Sequence, residues 1–271
     1  MRLARQWYKA ERLKPERKRH AVEQWLRAFR EDQQKHKPTD HKPGQVYSAQ
    51  ATGATTELMT LAHDLYLLQK VKGLPRKLIP RLRNYKEFQG ARYEVAIAAA
   101  FVKCGFEVAW VNDHTSRHPE FIARNKRTNE EVAVETKSRH RPGALHEPGM
   151  LPEEEELRAD VDRLYNDALK QDPSDRPFAI FIDVNLPPNT VPEETVKWRD
   201  EIVVRWQNNQ QQIALLGFTN FALHYKPGDR ISRPELLVSV PIVSARPLRT
   251  PETLRCLQVA LDAYGIVPNE Y

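Results

Sequence analysis

A nearly continuous apolar run, Phe178-Ala-Ile-Phe-Ile-Asp-Val184, constrains the fold of this chain more than any other segment. A strand with two apolar faces must be covered on both of them, which is typical of central strands in α/β proteins. Upstream, an alanine-rich helical pattern over residues 88–104 ends at Gly105, and an alternating strand pattern follows over residues 106–111. The sequence therefore predicts an α/β fold with a mixed central sheet flanked by helices.

Two short strand patterns predict a β-hairpin between these segments. They centre on residues 121–123 and 132–134, and the turn-forming segment 125–129 separates them. A loop rich in proline, glycine and histidine follows over residues 138–152, and apolar residues at helical spacing then predict a helix over about 157–168. Farther downstream we expect a helix over residues 194–210, strands within 213–223 and 236–243, and a closing helix over 251–264.

The first 87 residues have a different composition from the rest. Val22, Trp25, Leu26 and Phe29 fall on one face of a helix within residues 1–37, which Pro15 divides, and a second helix is expected over residues 56–70. The next segment, residues 72–86, is basic and contains two prolines. We expect a basic, mainly helical N-terminal region over residues 1–87 and an α/β domain over residues 88–271.

The charge of the chain is divided unevenly. The net charge is +6, but residues 1–93 hold 21 basic and 9 acidic side chains, whereas residues 94–271 hold 21 basic and 27 acidic ones. Residues 1–93, the basic front of the chain, therefore carry a net charge of +12, and residues 94–271 carry a net charge of −6. A basic front favours a polyanionic partner such as nucleic acid, although a solvated surface has the same composition.

Several classes of protein are disfavoured by composition. No apolar run approaches the ~18 residues that cross a bilayer, so a membrane protein is not expected. Two cysteines, Cys104 and Cys256, form neither a disulfide framework nor a cysteine-only zinc site. A reducing, cytoplasmic setting fits this usage best.

An acidic and a basic residue lie at the C-terminal end of the second predicted hairpin strand. Glu135 and Lys137 emerge on one face of it, because side chains alternate along a strand. If Glu120 begins the neighbouring strand, its carboxylate lies beside that of Glu135. Two carboxylates suit Mg²⁺, which lowers the pKa of a bound water and neutralises phosphate charge, and Lys137 could orient that water.

Pro119-Glu120 followed by Glu135-Thr136-Lys137 resembles the PD-(D/E)xK nuclease superfamily, in which Glu94 matches an additional acidic residue on the preceding helix. The resemblance covers residues 88–185. It implies a restriction-endonuclease-like fold with an α-β-β-β-α-β core, and an endonuclease that uses Mg²⁺ or Mn²⁺ to hydrolyse DNA phosphodiester bonds and leave 5′-phosphates. It also implies that Glu120, Glu135 and the Thr136 carbonyl hold the metal, that Lys137 positions the water, and that Glu94 assists.

One departure from the family pattern leaves alternatives open. Glu120 stands where the family usually has aspartate, which favours an inactive nuclease-fold subunit for DNA binding or assembly; Asp113 is a second candidate for the first ligand. Glu135 and Lys137 could instead form a surface ion pair, and Glu94 could be an exposed helix residue. A scaffold that docks an acidic protein through its basic front is a third interpretation.

Basic residues near this segment are the expected DNA contacts. Arg139 and Arg141 directly follow Lys137, where guanidinium groups suit a bound phosphate. The basic segment leads into the helix that carries Glu94 and could follow the DNA backbone without reading its sequence. Cleavage of both strands of a duplex favours a homodimer or a larger complex. The candidate contacts in the basic segment are Lys72, Arg76, Lys77, Arg81 and Arg83.

Overall fold

The computed structural model describes most of the chain. The described residues are 2–40, 42, 44–48, 51–111, 118–140, 160–186, 212–225, 235–239 and 244–266.

The N-terminal region is helical, as the sequence predicts. The expected break at Pro15 is present, with a short 3₁₀ helix following it. Thr52 caps the third helix by accepting a hydrogen bond from the Thr55 amide, which satisfies one of the free amides of the first turn. The bounds are α1 Arg2–Leu13, the 3₁₀ helix Glu16–Lys18, α2 Ala21–Lys35, α3 Gly53–Lys70 and α4 Leu78–Arg83.

The remaining elements interleave helices and strands. Their bounds are α5 Phe88–Lys103, β1 Phe106–Trp110, β2 Phe121–Asn125, β3 Glu131–Ser138, α6 Val161–Leu169, β4 Phe178–Asp183, β5 Leu215–Asn220, β6 Glu235–Ser239 and α7 Pro251–Asp262.

The strands form one mixed sheet in the order β1-β2-β3-β4-β5-β6. The first three strands are antiparallel, β3 and β4 are parallel, β4 and β5 are parallel, and β6 returns antiparallel to β5. The predicted α/β class with a mixed sheet flanked by helices is confirmed. The apolar run proves to be β4, buried along its whole length between β3 and β5.

The sheet is covered on both faces, as the composition of β4 requires. Phe181 packs with Phe101 of α5 on one face, and Ile180 packs with Leu164 of α6 on the other. The cluster on the α5 face also takes in Trp25 of α2. The core is therefore continuous across the expected boundary at residue 87.

Some sequence predictions lie outside the described residues. These are the 194–210 helix, most of the loop over residues 138–152, Arg141 and Asp113. Within the described residues, no helix is both long enough and apolar enough to span a membrane.

Candidate active site around Glu135

Glu135 lies near the end of β3, inside the sheet. Strand β3 pairs with β2 on one side and β4 on the other, and Glu135 is 1% exposed. Alternation places Glu135 and Lys137 on the face of Ala133, which packs with the α6 cluster. Glu135 and Lys137 do form an ion pair, but it is not at the surface, because the glutamate is buried.

Lys137 is the one hydrogen-bond donor to the Glu135 carboxylate among the described residues. Its Nζ lies 2.5 Å from Oε1 of Glu135, while the lysine side chain remains 25% exposed. Oε2 of Glu135 is buried and has no hydrogen-bond partner within the described residues. An unpaired carboxylate oxygen in a buried position is unfavourable, so this atom is suited to a ligand or a proton.

The environment of Glu135 favours its protonated form. Burial raises the pKa of the Glu135 carboxyl to about 8, the Lys137 ammonium opposes that rise, and the charges of Glu120 and Glu94 add to it. In the absence of a cation this carboxyl is therefore largely protonated at neutral pH.

Glu120 directly precedes β2 and is near enough to Glu135 for its charge to act on that carboxyl. The β2–β3 ladder has Phe121–Val134 as its last pair, and Glu120 and Glu135 are the residues just beyond that pair. Directly opposite residues in antiparallel strands have Cβ atoms roughly 4.5–5.5 Å apart. Glu120 is half-buried, and its carbonyl accepts a hydrogen bond from the Val111 amide at 3.1 Å. Continuation of the register past Phe121–Val134 would set the two carboxylates side by side, and that arrangement stays a prediction.

Glu94 is buried on α5 and is held by an arginine. It is 3% exposed, so the interpretation as an exposed helix residue is wrong. Nη1 of Arg81 lies 2.7 Å from Oε2 of Glu94, and Nη2 lies 2.6 Å from Oε1. Burial and the charge of Glu120 raise the pKa of Glu94 to about 7, whereas Arg81 and Lys137 lower it. Glu94, Glu120, Glu135 and Lys137 are therefore near enough for their charges to act on one another.

The donor set fits a divalent cation bound by two carboxylates. Among the described residues, no group of three or more His, Cys, Asp or Glu side chains is arranged to hold a metal ion. Mg²⁺ needs only one or two carboxylates when water and phosphate complete its shell. Glu120 and the unpaired oxygen of Glu135 meet that requirement. The Thr136 side chain points away from them, to the opposite face of β3, and its carbonyl as a ligand stays a prediction.

The chain after β3 is anchored by amide side chains that the sequence analysis did not identify. Nε2 of Gln89 on α5 donates to the Ser138 hydroxyl at 3.0 Å and also to the Arg139 carbonyl. Nδ2 of Asn185 donates to the same carbonyl at 3.1 Å. The guanidinium of Arg139 lies 3.0 Å from Asp160. No local sequence pattern indicates these long-range contacts.

The predicted DNA contacts of the basic segment divide into two groups. Lys77 donates to the Val111 carbonyl at 2.6 Å and Arg81 binds Glu94, so both are engaged within the protein. Lys72 and Arg76 are exposed, and Arg83 is half-buried.

A buried ionic cluster lies behind the site on α5. Arg92 donates to Glu57 of α3 at 2.9 Å and to the Tyr264 hydroxyl at 2.5 Å, and its Nη2 is 3.9 Å from Asp183 at the end of β4. Asp183 also accepts hydrogen bonds from the Thr219 hydroxyl and the Phe221 amide, each at 3.1 Å. The cluster joins the N-terminal helices to the sheet.

Comparison of the chain with models of known protein families, with curated proteins and with solved structures found no match.

Proposed function

We propose that this protein is a metal-dependent DNA endonuclease with a restriction-endonuclease-like fold. One support is the order of elements from residue 88 to residue 183: a helix, three antiparallel strands, a helix, and a strand parallel to the third. This is the α-β-β-β-α-β order that the resemblance to the PD-(D/E)xK superfamily implies. The three acidic residues and the lysine of that resemblance belong to the helix and the hairpin of this core.

The proposal rests mainly on the unpaired oxygen of Glu135. This atom is buried on a strand inside the sheet, beside an ammonium group and near a second carboxylate, that of Glu120. Buried oxygens of Glu57 and Asp183 are also unpaired within the described residues, but those carboxylates face Arg92, whereas Glu135 lies beside a partly exposed lysine and near two further carboxylates. Perturbed carboxylates of this kind cluster at functional sites.

Each side chain has a role in this proposal. Glu120 and Glu135 would hold Mg²⁺ or Mn²⁺, with the Thr136 carbonyl as a third donor, and the bound ion supplies a water of lowered pKa and neutralises phosphate charge. The partly exposed Lys137 would orient the attacking water and stabilise negative charge on the phosphate. Glu94 would assist from α5. Cleavage would leave a 5′-phosphate.

DNA binding by the basic front fits the charge of the chain. Lys72 and Arg76 present exposed cations, and the +12 net charge of residues 1–93 favours a polyanion. Arg139 and Arg141 would add contacts next to the site. Cleavage of both strands needs two sites, supplied by a homodimer or by successive nicking.

The proposal is tested by plasmid cleavage in Mg²⁺. Glu135→Ala and Lys137→Ala should each lower the cleavage rate at least about 100-fold, the usual effect of removing a group that stabilises charge in the transition state. Both variants should still fold and bind DNA. Glu131→Gln is the matched control, because Glu131 lies on the same strand, is exposed and pairs with Arg176 at 2.9 Å. Undiminished cleavage by both alanine variants would refute the mechanism.

A second candidate function is a catalytically inactive nuclease-fold subunit for DNA binding or assembly. The observation that favours it is Glu94, whose two oxygens are both held by Arg81. DNA binding without any cleavage in Mg²⁺ or Mn²⁺ would support this candidate over the enzyme.

A further inference from the structure

The guanidinium of Arg81 connects the proposed active site to the protein surface. It binds both oxygens of Glu94, at 2.7 and 2.6 Å, in a fork with two parallel hydrogen bonds. The Glu94 side chain is buried, whereas that of Arg81 on α4 is 32% exposed. Arg81 therefore lies at the border between the acidic site and the basic segment proposed to contact DNA.

The fork engages one edge of the guanidinium and neutralises the carboxylate. While Arg81 holds both oxygens of Glu94, its positive charge weakens the attraction of this carboxylate for a cation near Glu120. The Nη1–Nη2 edge of Arg81 is turned toward Glu94, so this pair of parallel donors is not available to a phosphate.

A phosphodiester is a matched competitor for Arg81. Carboxylates and phosphates both accept the two parallel N–H groups of a guanidinium. The helix surface beside the fork carries no side chain at Gly90, which lies one turn before Glu94 on α5. A Cβ at Gly90 would lie 4.0 Å from Nη2 of Arg81 and 3.9 Å from Nε2 of His140.

We propose that a DNA phosphate displaces Glu94 from Arg81, so that substrate binding itself releases Glu94 into the active site. This inference rests on the proposed nuclease function. Glu94 freed from Arg81 adds its negative charge to those of Glu120 and Glu135, which already act on one another, and the added charge strengthens the attraction for a divalent cation. By thermodynamic linkage, DNA binding and cation binding then strengthen each other. Arg81 acts as a positioning residue that exchanges a carboxylate for a phosphate.

The exchange is tested by DNA binding without metal. The probe is a fluorescent DNA duplex, titrated with the full chain in EDTA, and affinity is measured by anisotropy at several salt concentrations. Glu94→Gln weakens the fork and frees Arg81. Glu87→Gln is the matched control: it removes the same charge near the same guanidinium, 3.8 Å from Nε of Arg81, but Glu87 is largely exposed and outside the fork.

Glu94→Gln should bind DNA several-fold more tightly than Glu87→Gln. This gain in affinity should disappear when Glu94→Gln is combined with Arg81→Gln in one protein. One added phosphate contact steepens the slope of log affinity against log salt by roughly 0.9, so the gain should shrink about 3.5-fold between about 50 and about 200 mM salt. Arg81→Gln alone should make the slope shallower by a similar amount. Burial already raises the pKa of Glu94 to about 7, so this carboxyl can take up a proton when Arg81 is replaced, and Arg81→Gln gives a salt slope even if Glu94→Gln does not fold.

Different outcomes overturn different claims. If the wild-type protein cuts DNA but Glu94→Gln binds no more tightly than Glu87→Gln, or Arg81→Gln keeps the wild-type salt slope, the exchange is wrong and the nuclease function stands. If the wild-type protein neither binds nor cuts DNA, both the exchange and the proposed function are wrong.

Discussion

Replacing Glu135 with glutamine should stabilise the metal-free protein at alkaline pH. Burial raises the pKa of this carboxyl from its ordinary value of 4.5 to about 8. When the folded pKa lies above the unfolded one, the contribution of the group to stability is fully present below pH 4.5. It is then lost as the pH rises to 8. Glutamine has nearly the same shape, carries no charge, and keeps an oxygen that can accept a hydrogen bond from Lys137.

The magnitude follows from the difference between the two pKa values. At 1.36 kcal/mol per pKa unit, ionisation of Glu135 lowers the free energy of unfolding by about 3 kcal/mol at pH 7 and by about 4 kcal/mol at pH 8. With a margin of about one pKa unit, we expect the free energy of unfolding of Glu135→Gln to be about 2–4 kcal/mol higher than that of the wild-type protein at pH 8. Near pH 4.5 the two proteins should be equally stable.

The assay is denaturant unfolding in EDTA at pH 5 and pH 8, with thermal melts in parallel. A gain of this size corresponds to a rise in Tm of roughly 4–16 °C for a chain of this length. Glu131→Gln, an exposed site on the same strand, should change stability by less than about 0.5 kcal/mol at either pH. A Glu135→Gln protein that is no more stable than wild type at pH 8, or whose advantage is independent of pH, would refute the assignment of a protonated, unpaired carboxyl.

Three further predictions concern stability, two of them at glycines and one in the buried ionic cluster. A Cβ at Gly217 would lie 2.5 Å from Cδ1 of Phe181 on the adjacent strand, so Gly217→Ala should lower the free energy of unfolding by about 1–3 kcal/mol. A Cβ at Gly90 would meet only ordinary van der Waals contacts, so Gly90→Ala should raise the free energy of unfolding by about 0.5–1 kcal/mol. Arg92→Met leaves two buried carboxylates without their cation and should cost about 3–5 kcal/mol in urea unfolding; a loss below about 1 kcal/mol would contradict the ionic role of Arg92.

The fold was largely predictable because its signals are local. The apolar run of β4 required cover on both faces, the alternation over residues 106–111 indicated the strand that proves to be β1, and the turn over residues 125–129 indicated the hairpin. The hairpin in turn predicted the neighbourhood of Glu120 and Glu135, because an antiparallel register converts spacing along the chain into spacing across the sheet.

The partners of the site residues were not predictable, since they come from distant segments. Arg81 was expected on a DNA-binding surface, but it lies against Glu94. Asp183 lies at the end of an apolar run; its cation, Arg92, lies 91 positions earlier in the chain, and their contact depends on how α5 packs on the sheet. A single sequence contains no periodic signal for such pairs.

Mg²⁺ titration by calorimetry tests the central claim most directly. If Glu120 and Glu135 hold the ion, binding must displace the proton of Glu135. At pH 7 the wild-type protein should bind Mg²⁺ at millimolar concentrations or below and release up to about one proton, seen as a heat that varies with the ionisation enthalpy of the buffer. Glu135→Gln should bind at least about tenfold more weakly and release no proton, in keeping with the loss of a charged ligand. No Mg²⁺ binding by the wild-type protein, or equal proton release by Glu135→Gln, would contradict a metal site at Glu135.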